Sequence, residues 1–292
     1  MNEVKAMAAF RNTSENTAVS AFLAKRLFLN VQEIADTFKE SLNYQVGQAQ
    51  SQGKLTITDD NNPRGSIRTT FDYQVPAANI ASKEWYESDG ETAAGDPVND
   101  IRDFIRELRL KVNGYQNVAV KMNIKTLYKL LKHDAVLKAI GYQLTGIGLR
   151  YSKSTDDNAM AVAKGASFEA QKNAFASLIE CDELIVDKTL CGTEKLNTTS
   201  KKYERTTTAA FAEDVILIRP TGTIGVIKNV VPLRPDGSHI YTGIFGGRGL
   251  IDYIYTPDTY TQRWQGELTS LAVLNRPKDM YYMKVAKKPA QG

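Results

Sequence analysis

The sequence is poor in the residues from which disulfide frameworks, metal sites and most hydrolytic sites are built. It contains two cysteines, Cys181 and Cys191, and two histidines, His133 and His239, among 292 residues. The cysteine count excludes a disulfide scaffold, and the spacing of the pair matches neither a zinc knuckle nor a Cys-x-x-Cys redox motif. A Ser-His-Asp or Cys-His site is not expected from so few candidates. We therefore expect no metal, no cofactor and no enzymatic activity.

Long apolar runs and concentrated charge are also missing. No apolar run is long enough to cross a bilayer, and no short apolar core follows a basic N-terminus, so neither a membrane span nor a secretion signal is predicted. Lys plus Arg number 37 and Asp plus Glu number 33, which gives a net charge of +4. The basic residues are scattered except for Lys201-Lys202 and Lys287-Lys288. A groove for nucleic acid needs cations clustered on one surface, so we expect a solvated surface instead, on a protein made in a reducing cytoplasm.

A long amphipathic helix is the strongest structural signal that the sequence does contain. Apolar residues recur at steps of three or four, at Val19, Leu23, Leu27, Val31, Ile34, Phe38, Leu42 and Val46. This spacing predicts a helix from about Ser14 to Gln52, with Asn12 as its cap and Gly53 at its end. Such a helix is roughly 55 Å long. The apolar stripe is not a strict heptad, which favours packing on a sheet over a coiled coil.

The remaining chain alternates between strand-like and helix-like patterns, and 42% apolar content is ample for a packed core of one large or two ordinary domains. We predict a β-hairpin over 54–75, a polar irregular segment over 76–95 and a mobile loop over 141–165. The predicted helices run from Val98 to about Val112 and from Lys125 to about Ile140. The predicted strands are Val118–Met122, Phe175–Val186, Thr206–Ile218 and several short ones between Gly222 and Val285. The fold class is α+β.

Two local patterns resemble ligand sites only superficially. Gly243–Gly249 is rich in glycine, but it lacks the Lys-Ser/Thr of a P-loop, and no helix is predicted to follow it. A flexible turn or a close backbone contact between subunits is the favoured interpretation. The acidic pairs Asp59-Asp60 and Asp156-Asp157 are interpreted as solvated turn residues and not as a cation site.

Several short motifs follow one another between residues 52 and 140. The long helix runs into Gly53-Lys54-Leu55-Thr56-Ile57-Thr58, a polar excursion ends in Lys83-Glu84-Trp85, and Asp96-Pro97-Val98-Asn99-Asp100-Ile101 opens the next helix. The stretch from Val118 to Ile140, "VAVKMNIKTLYKLLKHDAVLKAI", is then predicted to form a strand, a turn and a helix. In this order and spacing, the motifs resemble the lambda-type major capsid protein family of tailed phages.

The resemblance implies the Hong-Kong-97-type capsid fold, with a long spine helix on a sheet in a peripheral domain and with an axial domain. Residues 1–13 would be a remnant of the extended loop and N-terminal segment, 14–100 the peripheral domain with spine helix and hairpin, 101–235 the axial domain, and 236–292 the return to the peripheral domain. The implied function is self-assembly as hexamers and pentamers into an icosahedral shell.

The implied partners are other copies of the chain, packaged double-stranded DNA held by non-specific contact, and scaffolding, portal and decoration proteins. No membrane partner is implied. The implied location is the virion, after assembly in the cytoplasm of a bacterial host.

Five residues are candidates for contacts between subunits. Residues 2–12, which precede the long helix, resemble the returning strand of the family's extended loop, so the outgoing strand and arm are expected to be absent; Phe10 and Arg11 lie in this segment. Arg248 is a candidate partner for a carboxylate of a neighbour. Trp85 and Trp264 are large aromatics in polar stretches, where another surface often binds. For Trp85, an anchor between its own loop and the core is an equal alternative.

Two other functions are kept as alternatives. An encapsulin-like compartment shares the fold but encloses protein cargo, so the content of the particle discriminates it from a phage shell. An α+β enzyme with a nucleotide at Gly243–Gly249 would instead show tight nucleotide binding by the monomer.

Overall fold

A computed structural model describes residues 16–58, 68–87, 92–110, 116–146, 153–196, 203–230, 240–245, 249–256 and 261–287. The fold is α+β, as predicted. The chain divides into two compact units, the first formed by Met1–Leu42 and Ile227–Leu271, the second by Asn43–Val226 and Ala272–Gly292. Within the described ranges, no helix is long and apolar enough to span a membrane.

Helix α1 spans Asn16–Gln52. The prediction of this helix is confirmed over the described residues, and Gly53 ends it with a left-handed φ of 64° and a bond from its N–H to Ala49 O of 3.0 Å. In the first unit α1 packs on a sheet, since a Cβ atom at Gly266 would lie 2.4 Å from Ile34 Cγ2 and 2.9 Å from Phe38 Cζ. Packing on a sheet was the arrangement that the apolar stripe favoured.

The sheet of the first unit is antiparallel at its described pairs. Its strands lie in the order β10 (Ile240–Phe245), β11 (Gly249–Thr256), β12 (Thr261–Leu274) and β9 (Gly225–Val230). Phe245 is opposite Gly249 across the β10–β11 pair, so these strands form a hairpin.

The second unit is built on a mixed five-stranded sheet. Its strand order is β3 (Ile80–Tyr86), β13 (Tyr281–Lys287), β8 (Val215–Pro220), β4 (Val118–Asn123) and β5 (Glu183–Asp187). The pairs β3–β13 and β4–β5 are parallel, whereas β8 is antiparallel to both of its neighbours. Among its described residues, this unit contains five helices in addition to the end of α1: α2 (Pro97–Leu110), α3 (Ile124–Leu131), α4 (Asp134–Thr145), α5 (Lys153–Gly165) and α6 (Phe168–Leu178).

Both faces of the five-stranded sheet are covered, because successive residues of a strand point to opposite faces. Ile216 and Ile218 of β8 lie in one core cluster with Ile101 and Ile105 of α2 and Ile140 of α4. Val215 and Leu217 lie in a second cluster with Ala49 of α1, Phe211 and Tyr282. Strand β8 is accordingly a nearly continuous apolar run, as expected for a strand that is buried on both sides.

The last turns of α1 lie against the backbone at Ala210. A Cβ atom at Gly47 would be 2.3 Å from Ala210 O, so only glycine permits this approach. Gln48 Nε2 donates to the same carbonyl at 3.1 Å, and Gln50 Oε1 accepts from Lys121 Nζ at 2.9 Å.

Two shorter strand pairs stand apart from these sheets. Strands β1 (Lys54–Ile57) and β2 (Thr69–Asp72) pair antiparallel, which confirms the predicted hairpin. Strands β6 (Leu190–Leu196) and β7 (Tyr203–Ala209) form a second antiparallel pair. Short 3-10 turns occupy Ala77–Asn79 and Pro277–Asp279.

Several local predictions were wrong. The segment 76–95 contains strand β3, and the supposed loop 141–165 contains the end of α4 and all of α5. The supposed strand Phe175–Val186 begins as helix α6, and the supposed strand Thr206–Ile218 is divided by a turn between β7 and β8. The predicted helix over 125–140 is two helices, which meet at Lys132 and His133.

The compact units divide the chain differently from the predicted domains. The sequence predicted one domain over 14–100 and another over 101–235, whereas residues 43–226 belong to one compact unit. Strand pairing is the physical reason, because β3 hydrogen-bonds to β13, and β13 to β8. The terms peripheral and axial stay predictions for this chain.

Candidate functional site

The structure brings together residues from three of the motifs that carry the family resemblance. They are Lys83 and Trp85 of β3, Asp100 of α2 and His133 between α3 and α4, and we call these four residues the motif cluster. All four belong to the second unit.

The carboxylate of Asp100 accepts hydrogen bonds from two side chains of β3, those of Lys83 and Trp85. Its Oδ2 accepts from Trp85 Nε1 at 2.7 Å, and its Oδ1 accepts from Lys83 Nζ at 2.9 Å. Trp85 is 1% exposed, so its indole N–H is taken from water and needs this acceptor. Lys83 and Asp100 are partly exposed, so the ion pair itself is screened by water.

Local sequence holds Asp100 in place. Asp96 caps α2, because its Oδ1 accepts from Asn99 N at 3.1 Å, and Pro97 occupies the first helical position. Asp100 lies in the first turn of α2, where the helix dipole favours a carboxylate. The motif Asp96–Ile101 therefore begins a helix and places the carboxylate of Asp100 within hydrogen-bond distance of β3.

His133 connects the same region to α4. Its Nε2 lies 3.0 Å from Trp85 O and 2.9 Å from Ala94 O, and its Nδ1 accepts from Ala135 N at 3.3 Å. Carbonyl oxygens only accept, so Nε2 carries the hydrogen and Nδ1 does not. His133 is 3% exposed and caps α4. From the sequence, the neighbours of His133 are ordinary surface residues, and this capping role was not predicted because the break between two helices was missed.

Tyr86 lies beside His133, with ring centres 5.6 Å apart in an edge-on arrangement. Burial, assisted by the carboxylate of Asp214, raises the pKa of Tyr86 to about 12, so the phenol stays protonated at neutral pH. Lys129 Nζ is 5.5 Å from the Tyr86 ring centre and 2.8 Å from Asp214 Oδ1. The four residues of the motif cluster are linked by hydrogen bonds, with Trp85 and His133 buried and Lys83 and Asp100 partly exposed, an arrangement suited to holding elements together.

A second polar cluster fixes the turn after α6. Arg106 binds both carboxylate oxygens of Glu180, and Arg109 donates to Asp182 Oδ2 at 2.8 Å and to Glu180 O at 2.9 Å. These contacts hold Glu180 in a left-handed conformation with φ of 58°. Between the two carboxylates, burial and then Asp182 raise the pKa of Cys181 to about 11, so its thiol is a poor nucleophile at neutral pH.

Most of the remaining predicted site residues cannot be placed in the structure. Phe10, Arg11, Arg248 and His239 lie outside the described residues, as does the side chain of Trp264, whose backbone belongs to β12. Gly243 and Gly249 lie on β10 and β11, so the glycine-rich segment joins two antiparallel strands and not a strand to a helix. Among the described residues, no group of three or more His, Cys, Asp or Glu is placed to hold a metal ion.

The burial of Trp85 agrees with the alternative in which this tryptophan anchors its own loop to the core. Its role in a contact between subunits stays a prediction, as do the roles of Phe10, Arg11, Arg248 and Trp264. All four residues of the motif cluster lie in the sequence motifs that carry the family resemblance, but only the fold shows that they are in contact.

Comparisons with known proteins found distant similarity among solved structures. No family model matches the sequence, and no curated protein matches it. Among solved structures, the chain is similar to the crystal structure of a phage-related protein from Bordetella bronchiseptica RB50, with 13% identity and a TM-score of 0.38. The match covers 74% of this chain and 59% of that protein, so this chain spans little more than half of its length. The similarity is to a protein described as phage-related, and it defines neither a family nor a function for this chain.

Proposed function

We propose that this chain is the major capsid protein of a tailed bacteriophage. In this proposal, it assembles as hexamers and pentamers into an icosahedral shell around double-stranded DNA, and its role is structural and not enzymatic. The observation that carries the proposal is the motif cluster: the separate segments behind the family resemblance converge on one set of contacts.

The length of helix α1 supports the same proposal. Helix α1 has 37 residues, about three times the average length for a globular protein. In the proposed shell, a helix of this length suits contacts with copies of the chain in closed symmetry. A subunit held by several neighbours at once dissociates only when all of them release, so individual contacts can be weak.

The partners and the location are part of the proposal. Copies of the chain are the main partner, and scaffolding, portal and decoration proteins are further ones. Contact with the packaged DNA is non-specific, in keeping with a net charge of only +4. Such contact depends on salt and not on base sequence. The proposed location is the virion, with assembly in the cytoplasm of the host.

An assembly experiment tests the proposal. The chain is produced alone and together with the scaffolding proteins of its source, and particles are counted by negative-stain electron microscopy and sized by analytical ultracentrifugation. We expect Arg248→Glu and Trp264→Ala to reduce the yield of closed shells by at least about tenfold, since truncating one central contact typically costs more than 1 kcal/mol per interface. Lys278→Glu, the same charge change at an exposed residue without a predicted contact, serves as the control.

The result that would overturn the proposal is a chain that remains monomeric at high concentration with every scaffold supplied. Shells that contain protein cargo and no DNA would instead support the encapsulin-like compartment. Tight nucleotide binding by the monomer would support the enzyme.

A further inference from the structure

The turn between β7 and β8, residues 210–214, contacts two helices that are far apart in the sequence, and we call it the β7–β8 turn. On one side it contacts the end of α1. Gln48 Nε2 donates to Ala210 O at 3.1 Å, and a Cβ atom at Gly47 would lie 2.3 Å from the same oxygen. Phe211 is 0% exposed and shares a core cluster with the end of α1. The position of the turn therefore depends on how closely the end of α1 approaches it.

On its other side, the β7–β8 turn is bonded to the start of α3 through Asn123. Asn123 Nδ2 donates to Phe211 O at 2.9 Å, and Asn123 Oδ1 accepts from Lys125 N at 2.8 Å. Asn123 is the N-cap of α3 and is 2% exposed. One end of this buried amide thus holds the turn. The other end satisfies a backbone N–H at the start of the helix, where no intrahelical partner exists.

The last residue of the turn is also held by α3. Asp214 has a left-handed φ of 56°, a conformation that is unfavourable for a residue with a Cβ atom. Asp214 N donates to Thr126 Oγ1 at 3.0 Å, and Asp214 Oδ1 accepts from Lys129 Nζ at 2.8 Å. The β7–β8 turn is therefore bonded to α1 at its first residue and to α3 at its last, with Asn123 bonded between them.

We propose that the β7–β8 turn couples the docking of the α1 end to the capping of α3, and that Asn123 is the positioning residue that connects the two. When the end of α1 moves away from Ala210, Phe211 loses its packing and its carbonyl leaves Asn123 Nδ2. The buried amide is then left with an unsatisfied donor, which weakens its hold on Lys125 N. By linkage, loss of the cap loosens the end of α1 by the same factor. This coupling is a property of the single chain, so it does not depend on the proposed shell function.

Hydrogen exchange of the full chain tests the coupling. The Gly53 amide, which donates to Ala49 O, reports the end of α1, and the Lys125 amide reports the cap of α3. Protection is compared with that of the β8 amides, which lie in the core and report global unfolding. We expect Gly47→Ala to lower the protection of both reporters by at least about fivefold relative to β8, the lower end of the usual range for coupled sites.

Asn123→Ser separates the coupling from the cap itself. Serine also caps helices, but its shorter side chain cannot bond to Lys125 N and to Phe211 O at once. In this background, Gly47→Ala should change the relative protection of Lys125 by less than about twofold, as for independent sites. The Asp214 amide, whose partner is Thr126, should still respond.

Gly141→Ala is the matched control for Gly47→Ala. It creates the same kind of clash with backbone, 2.0 Å from Ala159 O, at a place that does not contact the β7–β8 turn. We expect the protection of Lys125 relative to β8 to stay unchanged in this variant. A fall equal to that in Gly47→Ala would show a general loosening of the unit and would contradict the coupling.

Two further results would overturn the proposal. One is a Gly47→Ala variant in which the Gly53 amide loses protection while the Lys125 amide does not. The other is a Lys125 response of the same size with and without Asn123→Ser. If Gly47→Ala does not fold, Gln48→Ala gives the same test, because it removes only the bond to Ala210 O. Its effect on Lys125 should be smaller and in the same direction, and no effect at all would contradict the coupling.

Discussion

Asp100 is the residue on which the motif cluster depends most, because its carboxylate accepts hydrogen bonds from two other members, Lys83 and Trp85. Asp100→Ala leaves the buried indole N–H of Trp85 without an acceptor, so we expect a loss of about 1–3 kcal/mol in the free energy of unfolding. Asp100→Asn keeps an oxygen for the indole and should lose less. Urea denaturation followed by tryptophan fluorescence measures both changes.

Lys83→Met provides the comparison for Asp100. Lys83 is partly exposed, so removing its charge should change the free energy of unfolding by no more than about 1 kcal/mol. If Lys83→Met were as destabilising as Asp100→Ala, the ion pair would be the important bond and the indole contact a minor one.

Of the four residues of the motif cluster, only Trp85 was predicted as a site residue, and its contacts within the chain were not predicted. The spacing in Asp96–Ile101 predicts a capped helix start, and the structure confirms the cap. The bond from Trp85 to Asp100 joins residues that are separated by an irregular stretch, and periodicity carries no information across such a stretch. His133 is not a common cap residue, so residue type alone gave no sign that a helix begins after it.

At the scale of elements, α4 and α5 pack closely through a glycine. A Cβ atom at Gly141 would lie 2.0 Å from Ala159 O, which is backbone and cannot rotate away. Gly141→Ala should therefore separate the two helices and cost about 1–3 kcal/mol, the usual penalty for overpacking. Thermal or urea denaturation of the variant gives the value.

Gly165→Ala is the matched control for Gly141→Ala. Gly165 is the last residue of α5, and a Cβ atom there would meet nothing within 4 Å. We expect this substitution to be neutral or slightly stabilising, since alanine favours the helix. Equal losses for the two substitutions would contradict the close contact between the helices.

The elements that the sequence predicted well are those whose apolar repeat continues over many residues or whose ends are marked by residues such as glycine. Helix α1 repeats its apolar stripe over many turns, and glycine ends it. Helix α5 was predicted as a loop because Ser, Asp and Gly dominate its surroundings, whereas its packing depends on the small residues Ala159 and Ala163. The end of helix α6, from Phe175 onward, was predicted as strand because a short apolar run around Phe175 has no clear period.

Strand β3 was missed for a different reason. It lies at the edge of the five-stranded sheet, and its exposed and partly buried residues include Ser82, Lys83 and Glu84. Polar residues are normal on an edge strand, which is covered less completely than a central one. Its assignment therefore depends on pairing with β13, a strand almost two hundred residues later in the chain.

For the molecule as a whole, several carboxylates in the second unit make stability depend on pH. The bond from Arg106 lowers the pKa of Glu180 below its ordinary value of 4.5, and the bond from Val118 N–H lowers the pKa of Asp182 below 3.8. Burial tends to raise the pKa of Asp187, but bonds from Lys121 and Thr189 outweigh it, and the net shift is downward. The stabilisation is complete above the ordinary values and is lost as the pH falls through the lower folded-state values.

We therefore expect the free energy of unfolding to decrease as the pH falls below about 4. Asp187→Asn should reduce the slope of this decrease, because Asp187 forms a largely buried pair with Lys121 at 2.8 Å. The exposed Asp157, changed to Asn, is the control and should leave the slope unchanged. Urea denaturation at a series of pH values tests this, and an unchanged slope in Asp187→Asn would contradict the assignment.

The central claim is that this chain forms a shell around DNA, and imaging of particles from its natural source tests it most directly. Electron microscopy is combined with mass spectrometry of the major particle protein and with nuclease protection of the contents. We predict closed icosahedral shells, built mainly of this chain, with double-stranded DNA that resists nuclease until the shell is opened. Finding the chain only as small soluble species, or in shells without DNA, would contradict the claim.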